Sequence, residues 1–140
     1  MTQELKRFAV SLSKDLFERF DKVIQKHKYT NRSEAVRDLI RASLADEEWA
    51  DNNNDVIGTV LLVYDHHTGR LISKLQDIQH DYHEIILSVQ HFHLDHYNCL
   101  EIVVVKGKSR TVKDVADKLI SINGIKFGKL TAATTGVGIS

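Results

Sequence analysis

The sequence predicts an α+β chain of two domains, a short β-α-α module followed by a β-α-β-β-α-β body. Three observations carry this expectation. Apolar and polar residues alternate over residues 6–12, the period of a half-buried strand, and helical spacing follows at once. An acidic stretch, ADEEWADNNND at 45–55, then interrupts the pattern. Beyond it, β-branched runs and helical stripes succeed one another in the order stated.

In KRFAVSL, Phe8, Val10 and Leu12 share one strand face, and Arg7, Ala9 and Ser11 share the other. Ser13 is placed to cap a helix through His27, with Leu16, Phe17, Phe20, Val23 and Ile24 as its apolar stripe. Asn31 begins a second helix, and Glu34 three residues on suggests reciprocal capping. Ala35, Val36, Leu39, Ile40 and Leu44 form its apolar face. One strand and two helices in under 45 residues cannot close a core alone. A single strand also leaves both edges unpaired. Pairing with the same strand of a second chain answers both needs, and the resulting antiparallel ribbon fits the DNA major groove.

In the body, VIGTVLLVY at 56–64 reads as a strand, and Leu71, Leu75, Ile78 and Tyr82 predict a helix to about His83. Residues 85–94 and 99–106 are expected as strands, the second ended by Lys106-Gly107. Val112, Val115, Ala116, Leu119 and Ile120 mark a last helix, stopped at Asn123-Gly124. Residues 125–130 supply a final strand before a tail expected to fray. This order is the split βαβ unit of ferredoxin-like folds.

The net charge of zero hides a segregation. Residues 1–44 hold ten Lys/Arg against six Asp/Glu, 45–55 hold five acids and no base, and 56–140 hold nine bases against eight acids. A basic first module hints at an anionic partner. No apolar run reaches the roughly 18 residues of a membrane span, and no signal-peptide pattern opens the chain. A cytoplasmic protein is the default expectation.

Six of the eight histidines fall between His66 and His93. His91 and His93 are two apart on an expected strand, so their imidazoles share a face. The single cysteine, Cys99, opens the next strand, and no disulfide within the chain is possible. With His80 upstream, three imidazoles and one thiolate make a complete shell for a borderline-soft divalent metal. Spacing leaves nickel, zinc and copper all open. Glu101 shares a strand face with Cys99 and is a candidate to hydrogen-bond a ligating imidazole.

RFAVSLS followed by NRSEAVRDLIR resembles the ribbon-helix-helix repressors, in which two chains intertwine. That resemblance implies that Arg7, Ala9 and Ser11 face base edges. It also implies that the amides around Asn31, Arg32 and Ser33 grip a phosphate, with Arg37 as a further phosphate partner. IQHDYH, HFHLDHYNCLE and VVVKG, together with this module, resemble the nickel-responsive regulators (NikR) over nearly the whole chain. The resemblance implies one Ni(II) per chain in a square plane of His91, His93 and Cys99, with His80 from a neighbouring chain of a homotetramer. It further implies a nickel-dependent repressor that binds palindromic DNA operators of nickel-uptake or nickel-enzyme genes, and a potassium ion, K+, held between domains by Glu34 and Asp38.

The corresponding domain expectation is 1–48 for DNA binding, 49–55 for an acidic linker and 56–140 for metal binding and tetramerisation. Two departures from the family pattern fall on the DNA side. Ala9 stands where a hydroxyl residue is common, and Arg70 is the one basic residue of its turn. A zinc hydrolase would need an open coordination position and a general base, and nothing resembling HExxH is present, so an enzyme is not expected. The alternative of another class is an amino-acid-responsive DNA-binding regulator on the same body, without a metal.

Overall fold

The computed structural model describes residues 3–140 and divides into two compact units, Met1–Ile40 and Arg41–Ser140. In the first unit, helix α1 spans Lys14–Lys26, and α2 (Arg32–Ala50) begins there. Ser13 caps α1 by accepting from the Leu16 amide. Asn31 caps α2 by accepting from the Glu34 amide at 2.9 Å. The reciprocal bond expected from Glu34 gives way to an ion pair with Arg37, one turn along.

Helix α1 ends on a left-handed residue. Lys28 sits at φ 58°, its amide donates to the Gln25 carbonyl, and the Tyr29 amide reaches back to that of Ile24. That pair of bonds is the Schellman closure, which glycine adopts without steric cost and lysine does not. Across the turn, the Arg32 guanidinium grips both carboxylate oxygens of Asp21, each at 2.8 Å. It also lies 4.7 Å from the centre of the Phe17 ring. Charge and stacking together tie α1 to α2.

The strand expected over residues 6–12 is not formed among the described residues. A ladder needs a second strand to receive its hydrogen bonds, and this unit of a single chain holds none. Phe8 and Val10 are accordingly 71% and 65% exposed, and in this unit only Ile24 and Ala35 are buried hydrophobics among the described residues.

The second unit is one four-stranded antiparallel sheet with two helices of its own and the C-terminal part of α2. Its elements are β1 (Asp55–Asp65), α3 (Gly69–Asp81), β2 (Ile86–His93), β3 (Asn98–Lys108), α4 (Ser109–Ile120) and β4 (Ile125–Ala133). The strand order is β2-β3-β1-β4, the ferredoxin-like arrangement. Val56, Val60 and Leu62 of β1 and Val103 and Val105 of β3 alternate into a core with Leu71 and Leu75 of α3 and Val112, Val115 and Leu119 of α4. The residues between them line the opposite sheet face, where Phe92 and Phe127 stay about half exposed.

Three element ends and the linker differ from expectation by two residues or more. Helix α3 stops at Asp81 rather than near His83, β3 runs through Gly107 to Lys108, and β4 continues to Ala133, paired with Ile57. The expected linker at 49–55 begins inside α2 and ends inside β1, with a loop only at 51–54. Burial of the Trp49 side chain outweighs the polar composition around it. Gly124, at φ 105°, turns the chain from α4 into β4.

Lys28→Gly is expected to stabilise the protein by about 1 kcal/mol, because it relieves the left-handed strain. Chemical denaturation measures this; a loss of stability would show that Lys28 makes compensating contacts.

Candidate functional site

The pairing of β2 with β3 assembles the centre of the site. Its register sets His93 opposite Cys99 and His91 opposite Glu101. Opposed residues of an antiparallel pair project from the same sheet face, so all four side chains lie together. The His91 and His93 rings stand 5.4 Å apart, centre to centre. Strand β2 is the sheet edge, which keeps both imidazoles exposed. Cys99, one strand inward, is fully buried.

The Cys99 thiol donates to the Tyr64 carbonyl at 3.5 Å. Burial foremost pushes this thiol above its ordinary pKa; a hydrogen bond with Tyr64 opposes the rise, while the charges of Glu101 and Asp65 add to it. Such a thiol keeps its proton in the free chain and yields it to an arriving cation. Glu101 is buried and accepts from the Tyr64 hydroxyl at 3.2 Å and from Gln79 Nε2 at 3.3 Å. The expected contact from Glu101 to an imidazole is thus replaced by Tyr64 and Gln79, and the Tyr64 ring stands edge-on to His91 at 6.1 Å. Burial and the neighbouring Glu101 carboxylate hold the Tyr64 phenol protonated well above its ordinary range.

His80 lies on α3, exposed, with its ring 6.3 Å from that of His83. The complete four-donor shell expected from sequence is not gathered within one chain: among the described residues, no three His, Cys, Asp or Glu side chains converge as a ready cage. Two imidazoles and a thiol on one face, backed by a buried carboxylate, are nevertheless a donor set suited to a borderline divalent metal. His66 stands edge-on to His93 at 4.9 Å and beside His67 at 4.3 Å. Burial foremost, and then the neighbouring imidazoles of His67 and His93, lower its pKa, against the opposing effect of the Asp65 carboxylate.

The expected DNA-facing residues Arg7, Ala9 and Ser11 are all exposed and precede α1. Asn31 serves as the α2 cap, and Arg32 and Ser33 lie in its first turn. The Arg32 side chain is committed to Asp21, so only its backbone amide remains for a phosphate. Glu34 pairs with Arg37, and the Asp38 carboxylate engages the Tyr29 hydroxyl, raising the pKa of that phenol. Sequence inspection missed Tyr64, Gln79 and Asp21. Tyr64 had a visible signal, as the last residue on the buried face of its strand; the other two had none, since their partners are distant in sequence.

An amide-lined helix start in a basic module, and a histidine–thiol face on a ferredoxin-like body, define the class of metal-responsive DNA-binding regulators. The comparisons agree for both parts. Residues 57–133 match the NikR C terminal nickel binding domain, and residues 6–47 match the ribbon-helix-helix protein, copG family. A nickel-responsive regulator of Solibacter usitatus is 54% identical over 94% of this chain and 95% of its own. Those of Nitratidesulfovibrio vulgaris and Geotalea uraniireducens are 50% and 52% identical, each over 93% of this chain and 94% of theirs. A solved structure of an uncharacterised Thermotoga maritima protein shares the fold, with a TM-score of 0.52 and 16% identity over 58% of this chain and 100% of that one. The chain belongs to the family of nickel-responsive regulators.

Glu101→Gln is expected to weaken nickel binding about 10- to 100-fold by disturbing the Tyr64–Gln79 network behind the donors. Competition against a chelator measures it, and unchanged affinity would reduce Glu101 to a core residue.

Proposed function

We propose that this chain is a nickel-dependent transcriptional repressor, not an enzyme, that binds palindromic DNA operators when His91, His93 and Cys99 of one chain and His80 of a neighbour hold one Ni(II) per chain. The observation that carries this is the β2–β3 register, which sets His93 against Cys99 and His91 beside them on one face. A homotetramer, a dimer of dimers, supplies the missing donor. Two apolar surfaces support such assembly: the sheet face bearing Phe92 and Phe127, and the exposed Phe8, Val10 and Leu12 before α1.

Nickel, when bound, supplies a cross-link between chains. His91, His93 and Cys99, with His80 of a neighbour, would hold it, Cys99 giving up its proton to do so, while Tyr64 and Gln79 keep Glu101 fixed behind the donors. A cross-link through His80 on α3 would favour the assembly that binds DNA, and linkage would then require DNA to raise nickel affinity in return. Arg7, Ala9 and Ser11 then read base edges from a ribbon formed with the same segment of a second chain. Asn31, Arg32 and Ser33 offer backbone amides to a phosphate, aided by Arg37.

Potassium at Glu34 and Asp38 belongs to the DNA-bound form, since both carboxylates have protein partners in the free chain. No helix among the described residues is long and apolar enough to cross a membrane, in keeping with a cytoplasmic site of action.

Cys99→Ala is expected to abolish nickel-dependent operator binding while leaving the circular dichroism spectrum intact; a retained nickel response would remove Cys99 from the site. Arg7→Ala should cost about 1–3 kcal/mol of operator affinity and relax discrimination at one base pair. Selection from a random duplex pool checks this, and an unaltered base preference would take Arg7 off the reading face.

A further inference from the structure

His80 stands on the last turn of α3, and the residue that closes that turn is Tyr82. The Tyr82 amide donates to the Ile78 carbonyl at 3.0 Å, and its own carbonyl accepts from the amides of Ile85 and Ile86 at 2.9 and 3.1 Å. One residue therefore ends the helix and begins the approach to β2. His83 binds the His80 carbonyl twice, through its amide at 3.4 Å and its ring Nδ1 at 3.0 Å. Only residues 82–85 separate the helix that carries His80 from the strand that carries His91 and His93. The connection has no slack.

The turn is fastened on two sides. The Ile85 carbonyl accepts from the Lys106 amide of β3 at 2.8 Å. The Ile85 side chain covers Gly107, where an added Cβ would meet its Cδ1 at 2.8 Å, so glycine leaves the space that Ile85 fills. On the other side, the Tyr82 ring packs against the core. Its hydroxyl reaches α4, accepting from Lys118 Nζ and donating to an Asp114 carboxylate oxygen at 3.4 Å. Lys118 also lies 4.9 Å from the centre of the ring and pairs with Asp114 at 3.3 Å. Tyr82 thus joins α3, α4 and the start of β2, all within the second unit.

We propose that Tyr82 is a positioning residue for His80: it holds the last turn of α3 against α4 and β2, and so fixes His80 relative to His91, His93 and Cys99 of its own chain. This inference rests on the repressor reading above, in which every chain serves two ions. It offers His91, His93 and Cys99 to one and His80 to the other. Both shells close in one assembly only when the spacing between the two sets of donors is held. A loose His80 would occupy its binding position for a fraction of the time, and nickel affinity would fall by that fraction.

Chelator competition for nickel on the intact protein tests this in two backgrounds. Tyr82→Leu, which keeps apolar bulk but loses the ring and hydroxyl, should weaken nickel binding roughly tenfold. In a chain that already carries His80→Ala, the same substitution should cost nothing further, because Tyr82 acts through His80. Tyr82→Phe removes only the hydroxyl and should lose about threefold; it carries the same comparison if Tyr82→Leu fails to fold. In the metal-free protein, amide exchange over residues 78–83 should quicken in Tyr82→Leu. Equal losses with and without His80 would make Tyr82 a general support of the fold and overturn the positioning role. Wild-type nickel affinity in both Tyr82 variants would overturn it too. Wild-type affinity in His80→Ala alone would instead remove His80 from the shell, sinking the four-donor reading and this inference with it.

Discussion

The register of β2 against β3 is the constraint on which the site depends. It sets His93 opposite Cys99 and His91 opposite Glu101. A slip of one residue would turn both imidazoles to the opposite sheet face, away from the thiol. The turn between the strands helps to hold that register, with Asp95 accepting from the amides of Tyr97 and Asn98 at 2.8 and 2.7 Å. The Asn98 amide foremost, then the Asn98 side chain and the Tyr97 amide, hold the Asp95 carboxyl down to about 2. The edge position of β2 then leaves the imidazoles open while the thiol stays covered.

Both units leave apolar surface uncovered. The first buries only Ile24 and Ala35 among its described hydrophobics, and the second exposes Phe92 and Phe127 on the sheet face away from its helices. A donor set without a fourth member on the same face and a first unit without a closed core are both accounted for by the tetramer proposed above. Assembly, metal capture and DNA binding become linked equilibria in such a protein.

Much of this was legible in the sequence, because the patterns involved are local. The run rich in β-branched residues at 56–64 and the 3–4 spacing of Val112, Val115, Ala116 and Leu119 located the elements of the body, and Ser13 and Asn31 located the helix starts. Two imidazoles two residues apart were bound to share a face on any strand. The missed features are non-local. Nothing near Asp21 announces Arg32 as its partner, and Trp49 packs on Gly58 and bonds Ala133, distant in sequence but neighbours on the paired strands β1 and β4. The absent strand at 6–12 has another cause: alternation marks a strand, but a ladder also needs a partner strand, and none lies beside this segment among the described residues.

X-ray absorption at the nickel edge of the loaded wild-type protein tests the central claim most directly. The account predicts a planar shell of one sulfur and three imidazole nitrogens, with one nickel per chain. A shell of nitrogen and oxygen alone, or tetrahedral geometry, would contradict it.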